Sequence, residues 1–423
     1  MPKTALLVFA IVLIVVVTAC IDSTEAATSS AQPAATKAVP TAALNLTPTP
    51  QPTAVYTPTP IAPGTSSYQL SQVDLTVSQK RFNNAEFSVD AFVFADFDRD
   101  GFVDAFVASE SGTEDGKRVN MFKGIGPGQW RNATAEFIAG EIPSLVSPRK
   151  AICADFNNDG YPDIYVADQG FDYDPYPGAK NVLLLSTRNG KLVYEKAHQE
   201  NLETVGFHHG AAAADIDNDG DIDIFVADDY RKHKYFLIND GLGYFTRNEH
   251  FVPEELQRAD VFTIELIDID GDGFIDLFIW GDEGRTQPRL INRIYWGNGT
   301  GDFRIADNTL LPDIKQYGMT VDFDAEDINK DGRRDLILTR TGSPPAYYEG
   351  FYIQILTQSK AREFTDETGE RINAQSIGGD WIRWIRLVDA DRDGDVDILT
   401  DLYYDASRQY VWLNNGEGSF SLK

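Results

Sequence analysis

Short apolar runs recur in pairs along most of this chain. Phe92-Val93-Phe94-Ala95 is followed after a polar stretch by Ala105-Phe106-Val107-Ala108, and Ile264-Glu265-Leu266-Ile267 by Leu277-Phe278-Ile279-Trp280. Ile164-Tyr165-Val166-Ala167 and Ile224-Phe225-Val226-Ala227 repeat the second member of the pair. Runs of four residues rich in β-branched and aromatic side chains, bounded by turn residues, predict strands joined as hairpins. The N-terminal region reads differently. An unbroken apolar run from Ala5 to Val17 follows Lys3 and ends in Val17-Thr18-Ala19-Cys20. It is shorter than the roughly 20 residues of a membrane-spanning helix and has the layout of a secretory signal. Residues 21–67 are dominated by Thr, Pro, Ala and Ser, with Thr47-Pro48-Thr49-Pro50 echoed at Thr57-Pro58-Thr59-Pro60. Such a segment cannot bury enough apolar surface to fold, and its prolines favour an extended spacer. The predicted organisation is therefore a signal over 1–20, a tether over 21–67 and a folded domain over 68–423.

The polar stretch between paired strands is the same each time. Asp-x-Asp/Asn-x-Asp-Gly-x-x-Asp begins at Asp96, Asp155, Asp215, Asp268, Asp327 and Asp389, with steps of 59, 60, 53, 59 and 62 residues. Its side-chain oxygens come from Asp96, Asp98, Asp100 and Asp104; Asp155, Asn157, Asp159 and Asp163; Asp215, Asp217, Asp219 and Asp223. The second half of the chain supplies Asp268, Asp270, Asp272 and Asp276; Asp327, Asn329, Asp331 and Asp335; Asp389, Asp391, Asp393 and Asp397. Calcium takes six to eight oxygens at about 2.3–2.6 Å, and positions 1, 3 and 5 of a tight turn can aim theirs at one point. Glycine at position 6 lets the chain double back, position 7 offers a carbonyl, and Asp at position 9 closes the cage. An EF-hand would need Glu at position 12 and flanking helices. Position 12 here is Val107, Val166, Val226, Ile279, Leu338 or Thr400, and strands flank the loop. The expected cofactor is about six structural Ca²⁺ ions.

Charge agrees with that expectation. Asp and Glu number 65 against 37 Lys and Arg, a formal net charge of −28. A polyanion of this size repels nucleic acid and anionic lipid headgroups, so neither is an expected partner. Of the two cysteines, Cys153 lies in an apolar run and is expected in the core.

Six such loops, each within a unit of roughly 60 residues, resemble FG-GAP/VCBS repeats, the blade unit of integrin α-subunit propellers. Leu237-Ile238-Asn239-Asp240-Gly241-Leu242-Gly243-Tyr244-Phe245 and Leu413-Asn414-Asn415-Gly416-Glu417-Gly418-Ser419-Phe420 fit the hairpin between the third and fourth strands of a blade, and Trp296–Phe303 is a variant. The fifth unit, at Thr357-Gln358-Ser359-Lys360, lacks the glycines. The resemblance implies an all-β, six-bladed propeller with calcium-binding hairpin loops, a seventh blade requiring a unit without the motif. The chain stops three residues after Phe420, so the last blade is expected to lack most of its outer strand. Val73, Leu75 and Val77 alternate with polar residues and are expected to supply it. Val17-Thr18-Ala19-Cys20 likewise resembles a bacterial lipobox, which implies lipidation of Cys20 and a lipid-anchored, extracytoplasmic location in the cell envelope.

In this topology all six loops lie on one face. The opposite face carries the links between second and third strands, which hold Phe171, Tyr173, Tyr176, Tyr347, Tyr348, Phe351, Tyr352, Tyr403 and Tyr404. Asp90, Arg149, His209, Phe262, Val321 and Arg383 precede the loops by six residues and mark the channel mouth on that face. Asp90, Arg149, His209 and Arg383 are the candidate ligand-face residues, with a glycan or protein as the expected ligand. His208 and His209 have no Cys or further His at metal-ligand spacing and read as hydrogen-bonded channel residues. No nucleophile elbow, phosphate-binding loop or HExxH pair occurs. The sequence points to a binding or adhesion module, with a calcium-dependent polysaccharide lyase or hydrolase as the alternative.

Overall fold

The computed structural model describes residues 91–423 apart from 127–128, 172, 201, 203–204, 229–232, 258, 260, 282–291, 315–316, 343–347, 374–380 and 403–408. The signal, the tether, the strand expected over Val73–Val77, and Asp90, Tyr347, Tyr403 and Tyr404 lie outside the described residues, as do the side chains of Phe262 and Arg383. No helix among the described residues is long and apolar enough to cross a membrane.

Six antiparallel sheets follow one another along the chain, a six-bladed β-propeller. Blade 1 comprises Ala91–Ala95, Asp104–Ala108, Asn120–Gly126 and Gln129–Asn132. Blade 2 comprises Pro148–Ala154, Asp163–Asp168, Val182–Thr187 and Lys191–Val193, extended by Ile138–Ala139 lying parallel to its fourth strand. Blade 3 is built from His208–Ala214, Asp223–Asp228, His233–Asn239 and Phe245–Asn248, and blade 4 from Val261–Ile267, Asp276–Gly281, Arg293–Tyr295 and Asn308–Leu310. Blade 5 holds Met319–Glu326, Asp335–Thr341, Tyr352–Lys360 and Glu363–Asp366. Blade 6 holds Ile382–Val388, Asp397–Leu402, Gln409–Asn414 and Phe420–Leu422.

A strand covered on both faces should be apolar throughout rather than alternating. The second strands behave so: all six residues of Asp163–Asp168 and of Asp223–Asp228 are buried. Period-2 geometry then divides each blade between two interfaces. In blade 2, Ala151, Cys153, Ile164, Val166 and Leu184 face blade 1, whereas Ile152, Tyr165, Ala167 and Leu183 face blade 3. Further cores join blades 3 and 4, 4 and 5, and 5 and 6. The expectation that Cys153 is a core residue therefore holds. The inner strand of blade 3 ends in Ala211-Ala212-Ala213-Ala214, whose small side chains let both neighbouring blades approach closely; Ala211 and Ala213 pack toward blade 2 and Ala212 toward blade 4. Across the centre, Lys150 Nζ on blade 2 meets the buried Glu265 Oε1 on blade 4 at 3.0 Å.

Two expectations change here. Blade 6 does not lack its outer strand: Phe420–Leu422 pairs with Gln409–Asn414, and Lys423 N–H donates to Val411 O at 3.0 Å. Fourth strands are only three or four residues long all round the ring, and much of the segment before the next inner strand is a helical turn such as Thr134–Phe137 or Glu254–Gln257. The Trp296–Phe303 variant is not a tight hairpin. Asp302 accepts from Arg304 N–H and caps a 3₁₀ turn at Phe303–Ile305, whose buried Phe303 stacks on Phe236 of blade 3 at 5.6 Å, so the fourth strand starts only at Asn308. The glycine-free fifth unit turns through Ala361-Arg362 instead, with Arg362 at φ 66°.

Candidate metal loops and the opposite face

Each acidic loop joins an inner strand to the second strand of its blade, and the same hydrogen bonds recur in all six. The carboxylate at position 1 accepts from the N–H groups of positions 5 and 6. In the first loop Asp96 accepts from Asp100 at 3.0 Å and Gly101 at 2.9 Å, and in the fifth Asp327 accepts from Asp331 at 3.0 Å and Gly332 at 2.8 Å. The carboxylate at position 5 accepts from position 7, as Asp219 does from Asp221 at 2.9 Å and Asp272 from Phe274 at 2.9 Å. Two residues of each loop take positive φ. One is the expected glycine at position 6, for example Gly101 at 91° and Gly220 at 94°; the other is position 4: Arg99, Asn158, Asn218, Gly271, Lys330 and Arg392, between 54° and 77°. Two left-handed residues bend the loop into a ring with its oxygens inside.

Position 9 does two jobs. The buried Asp223 accepts from Ile216 N–H at 3.3 Å and Asn239 N–H at 2.8 Å, and the buried Asp276 from Ile269 at 2.9 Å and Gly297 at 2.8 Å. It thereby ties the loop to the third strand of its own blade. It also stays with the ligand group: oxygens of Asp96, Asp98 and Asp104 lie within 4.8 Å of one another, as do those of Asp215, Asp217 and Asp223, of Asp268, Asp270 and Asp276, and of Asp389, Asp391 and Asp397. A group of hard oxygens at that mutual distance fits Ca²⁺. The second and fifth loops carry Asn157 and Asn329 at position 3, whose Oδ1 atoms accept from Asp159 N–H and Asp331 N–H at 3.0 Å.

Sequence reasoning missed position 2. Phe97, Phe156, Ile216, Ile269 and Ile328 are all buried, plugging the loop into an inter-blade core. It also missed the hairpin asparagines. Asn239 Nδ2 donates to Phe156 O at 2.8 Å and Asn414 Nδ2 to Ile328 O at 3.0 Å, so a hairpin of one blade clamps the acidic loop of the blade before it. The signal was present as the Asn preceding each Asp-Gly or Asn-Gly turn. Position 4 links neighbouring loops as well: the Arg99 guanidinium lies 4.0 Å from the Tyr161 ring centre, and Asn158 Nδ2 donates to Asp221 Oδ1 at 2.6 Å.

Burial is the main influence on the position-9 carboxyls. It pushes Asp104 up to about 7, Asp223 and Asp276 to about 8 and Asp335 to about 6, against the hydrogen bonds that favour the anion. A folded-state pKa raised above the unfolded value of about 4 contributes stability that is fully present below pH 4 and lost as pH rises through about 6–8. A bound cation needs these groups ionised, so binding must release protons there. Calcium affinity is expected to rise from pH 6 to 8, with proton release at pH 6.5 detectable by calorimetry in buffers of different ionisation enthalpy. Affinity independent of pH over that range would contradict the role of these carboxyls.

On the opposite face the candidate ligand residues are partly brought together. Arg149, half-buried at the start of its inner strand, donates from Nε to Gln169 Oε1 at 2.6 Å, so it is held in place rather than free in solvent. His209 is half-buried beside the fully buried His208, whose Nε2 lies 3.3 Å from Tyr235 Oη. Asp90 and the Arg383 side chain lie outside the described residues. Phe171 and Tyr173 sit 5.0 Å apart, with Tyr173 67% exposed. Tyr176 meets Phe207, at the start of the next blade, edge-on at 5.8 Å, and Tyr348 meets Trp381 at 4.9 Å with the rings tilted by 44°. Both tyrosines take positive φ, 55° and 57°. Phe351 is not part of this surface: it is buried against Trp412. Tyr352 stacks on Tyr317 at 5.5 Å.

Comparison with known proteins accords with this geometry. The FG-GAP-like repeat profile matches residues 96–166, 155–226, 215–279, 268–338 and 327–400, each span running from one acidic loop to the strand after the next. Cartilage acidic protein 1 of the mouse is 28% identical over 174 residues, 38% of this chain, and the match spans only 25% of that protein. An ancestral GH74 enzyme of known structure superposes on 79% of this chain and 37% of its own, at 13% identity and a TM-score of 0.42. The profile matches run from the first acidic loop past the last, and the chain belongs to the FG-GAP-like repeat family.

Proposed function

We propose that this chain is a calcium-stabilised binding module, tethered outside a bacterial cell by lipid on Cys20 and holding a glycan or protein ligand on the face opposite its acidic loops. The calcium part rests on six loops of one backbone pattern, which collect side-chain oxygens while turning their backbone donors inward onto the same carboxylates. Calcium then acts structurally, through position 2 and the hairpin asparagines, on the cores between blades. The binding part is carried by one observation, the exposed Tyr173 with the half-buried Phe171 at its side, next to Tyr176 and Phe207. Aromatic planes held clear of the core, with the polar Arg149 and Gln169 on the same blade and face, suit the alternating apolar and hydroxyl faces of a sugar ring. Tyrosines in the left-handed region cost about 1–3 kcal/mol and persist where surrounding contacts over-determine them, a pattern concentrated at ligand clamps.

A glycan array probed with the purified protein, with calcium and with excess EGTA, tests the reading. Tyr173→Ala is expected to reduce binding at least ten-fold with the melting temperature unchanged, since an exposed side chain contributes little to stability. Full binding by that variant would contradict the assigned face. Assay of the bound glycans for new chain ends tests the alternative of a lyase or hydrolase.

A further inference from the structure

In two of the six loops a cation of the protein's own bridges two ligand carboxylates, whereas in the fifth Arg333 pairs with Asp331 alone. Lys123 Nζ bonds the carboxylates of both Asp98 and Asp100 in the first loop. Arg362 reaches the fourth loop, with Nε 2.5 Å from Asp270 Oδ2 and Nη2 2.9 Å from Asp272 Oδ2. In both cases the carboxylates are those of positions 3 and 5. The two cations arrive by different routes. In every blade one residue of the third strand, or just after it, donates its N–H to the position-9 Asp: Gly124, Ser186, Asn239, Gly297, Gln358 and Asn414. Lys123 precedes the first of these, where the other blades have Leu185, Ile238, Trp296, Thr357 and Leu413. Arg362 comes from blade 5, at the glycine-free turn. Its positive φ and a hydrogen bond from Thr309 Oγ1 to its carbonyl at 3.1 Å, together with the Trp296 ring 4.9 Å below its guanidinium, direct it onto the loop of blade 4.

We infer that Lys123 and Arg362 are tethered counter-ions that sort the six loops into two classes of calcium affinity. This rests on the calcium reading above. An incoming divalent ion must share or displace a positive charge already bonded to two of its ligands, so the first and fourth loops bind calcium more weakly than the third. That loop also has four aspartates, and no Lys or Arg among the described residues is recorded in an ion pair with them. The same two side chains neutralise part of the carboxylate repulsion when calcium is scarce, so these loops keep their shape at low calcium. The propeller then loses calcium in steps rather than at once.

Calcium titration of the full chain by calorimetry, with melting curves in calcium and in EGTA, tests this. Lys123→Met and Arg362→Met are each expected to move one site from the weak class to the tight class, tightening it about ten-fold, the order expected for removing a unit charge about 4 Å from a divalent ion at a solvated surface. Each is also expected to lower the melting temperature in EGTA but not in saturating calcium. Lys123→Arg, which keeps the charge, should preserve the weak site. Lys360→Met, which removes only an exposed pair with Glu363, should change neither class. Should Lys123→Met yield no folded protein, Lys123→Gln carries the same expectation. Calcium binding with affinities unchanged or weakened in both Met variants overturns this inference alone. A flat wild-type titration overturns it together with the calcium reading.

Discussion

Excess EGTA is expected to lower the melting temperature of this protein by roughly 5–15 °C. A site with a dissociation constant of about 10⁻⁴–10⁻³ M contributes about 0.4–1.4 kcal/mol in millimolar calcium. Six of them sum to several kcal/mol, comparable with the roughly 5–15 kcal/mol of a whole domain. For a domain of this size each kcal/mol moves the midpoint by about 2 °C. The effect should be global because the loops do not stand apart from the cores. Phe156 and Ile328 lie inside inter-blade cores, and Asn239 and Asn414 of the following blades hold the carbonyls of those same two residues. Scanning calorimetry with and without chelator measures this. Superimposable curves would mean that the cages hold their shape by hydrogen bonds alone.

The second large effect separates the two jobs of the acidic loop. Asp223→Ala removes the acceptor for two buried N–H groups, those of Ile216 and Asn239. An unsatisfied buried donor costs about 1–3 kcal/mol, so the variant is expected to lose about 2–5 kcal/mol, even in EGTA. Asp219→Ala removes a carboxylate whose one described backbone donor is the N–H of the half-buried Asp221. It is expected to be nearly neutral in EGTA and to cost about 1 kcal/mol or less in calcium, through one lost site. Urea unfolding of both variants with and without calcium distinguishes them. Equal losses for the two in EGTA would show that position 9 has no special structural role.

The strands, the loops and their repetition were legible because each leaves a local signature: four apolar residues for a doubly covered strand, and Asp at fixed spacing for an oxygen cage. The apolar run around it also identified Cys153 as core. What stayed hidden depends on contacts between units. Phe97 and Ile269 look like loop residues in sequence, and only the curvature of the ring shows that they plug the next interface. Arg99 and Lys330 at position 4 carry no residue-type signal for a positive φ, which the closing of the cage imposes. The outer strand of blade 6 differs from expectation because outer strands are short: between Phe245 and Asp268 of the preceding units, for example, Glu254–Gln257 is helical. Phe351 was assigned to the ligand face from its place between second and third strands, yet its ring turns inward to Trp412. Arg362 could not be connected with Asp270 across 92 residues without the turn that aims it.

The central claim, that six loops of one pattern hold six calcium ions, is tested most directly by an anomalous-difference map from crystals grown in calcium. The account predicts six peaks, one in each loop. Each should lie about 2.3–2.6 Å from oxygens of positions 1, 3, 5 and 9, for example those of Asp215, Asp217, Asp219 and Asp223. Loops that close on their own hydrogen bonds with no peak inside them would contradict it.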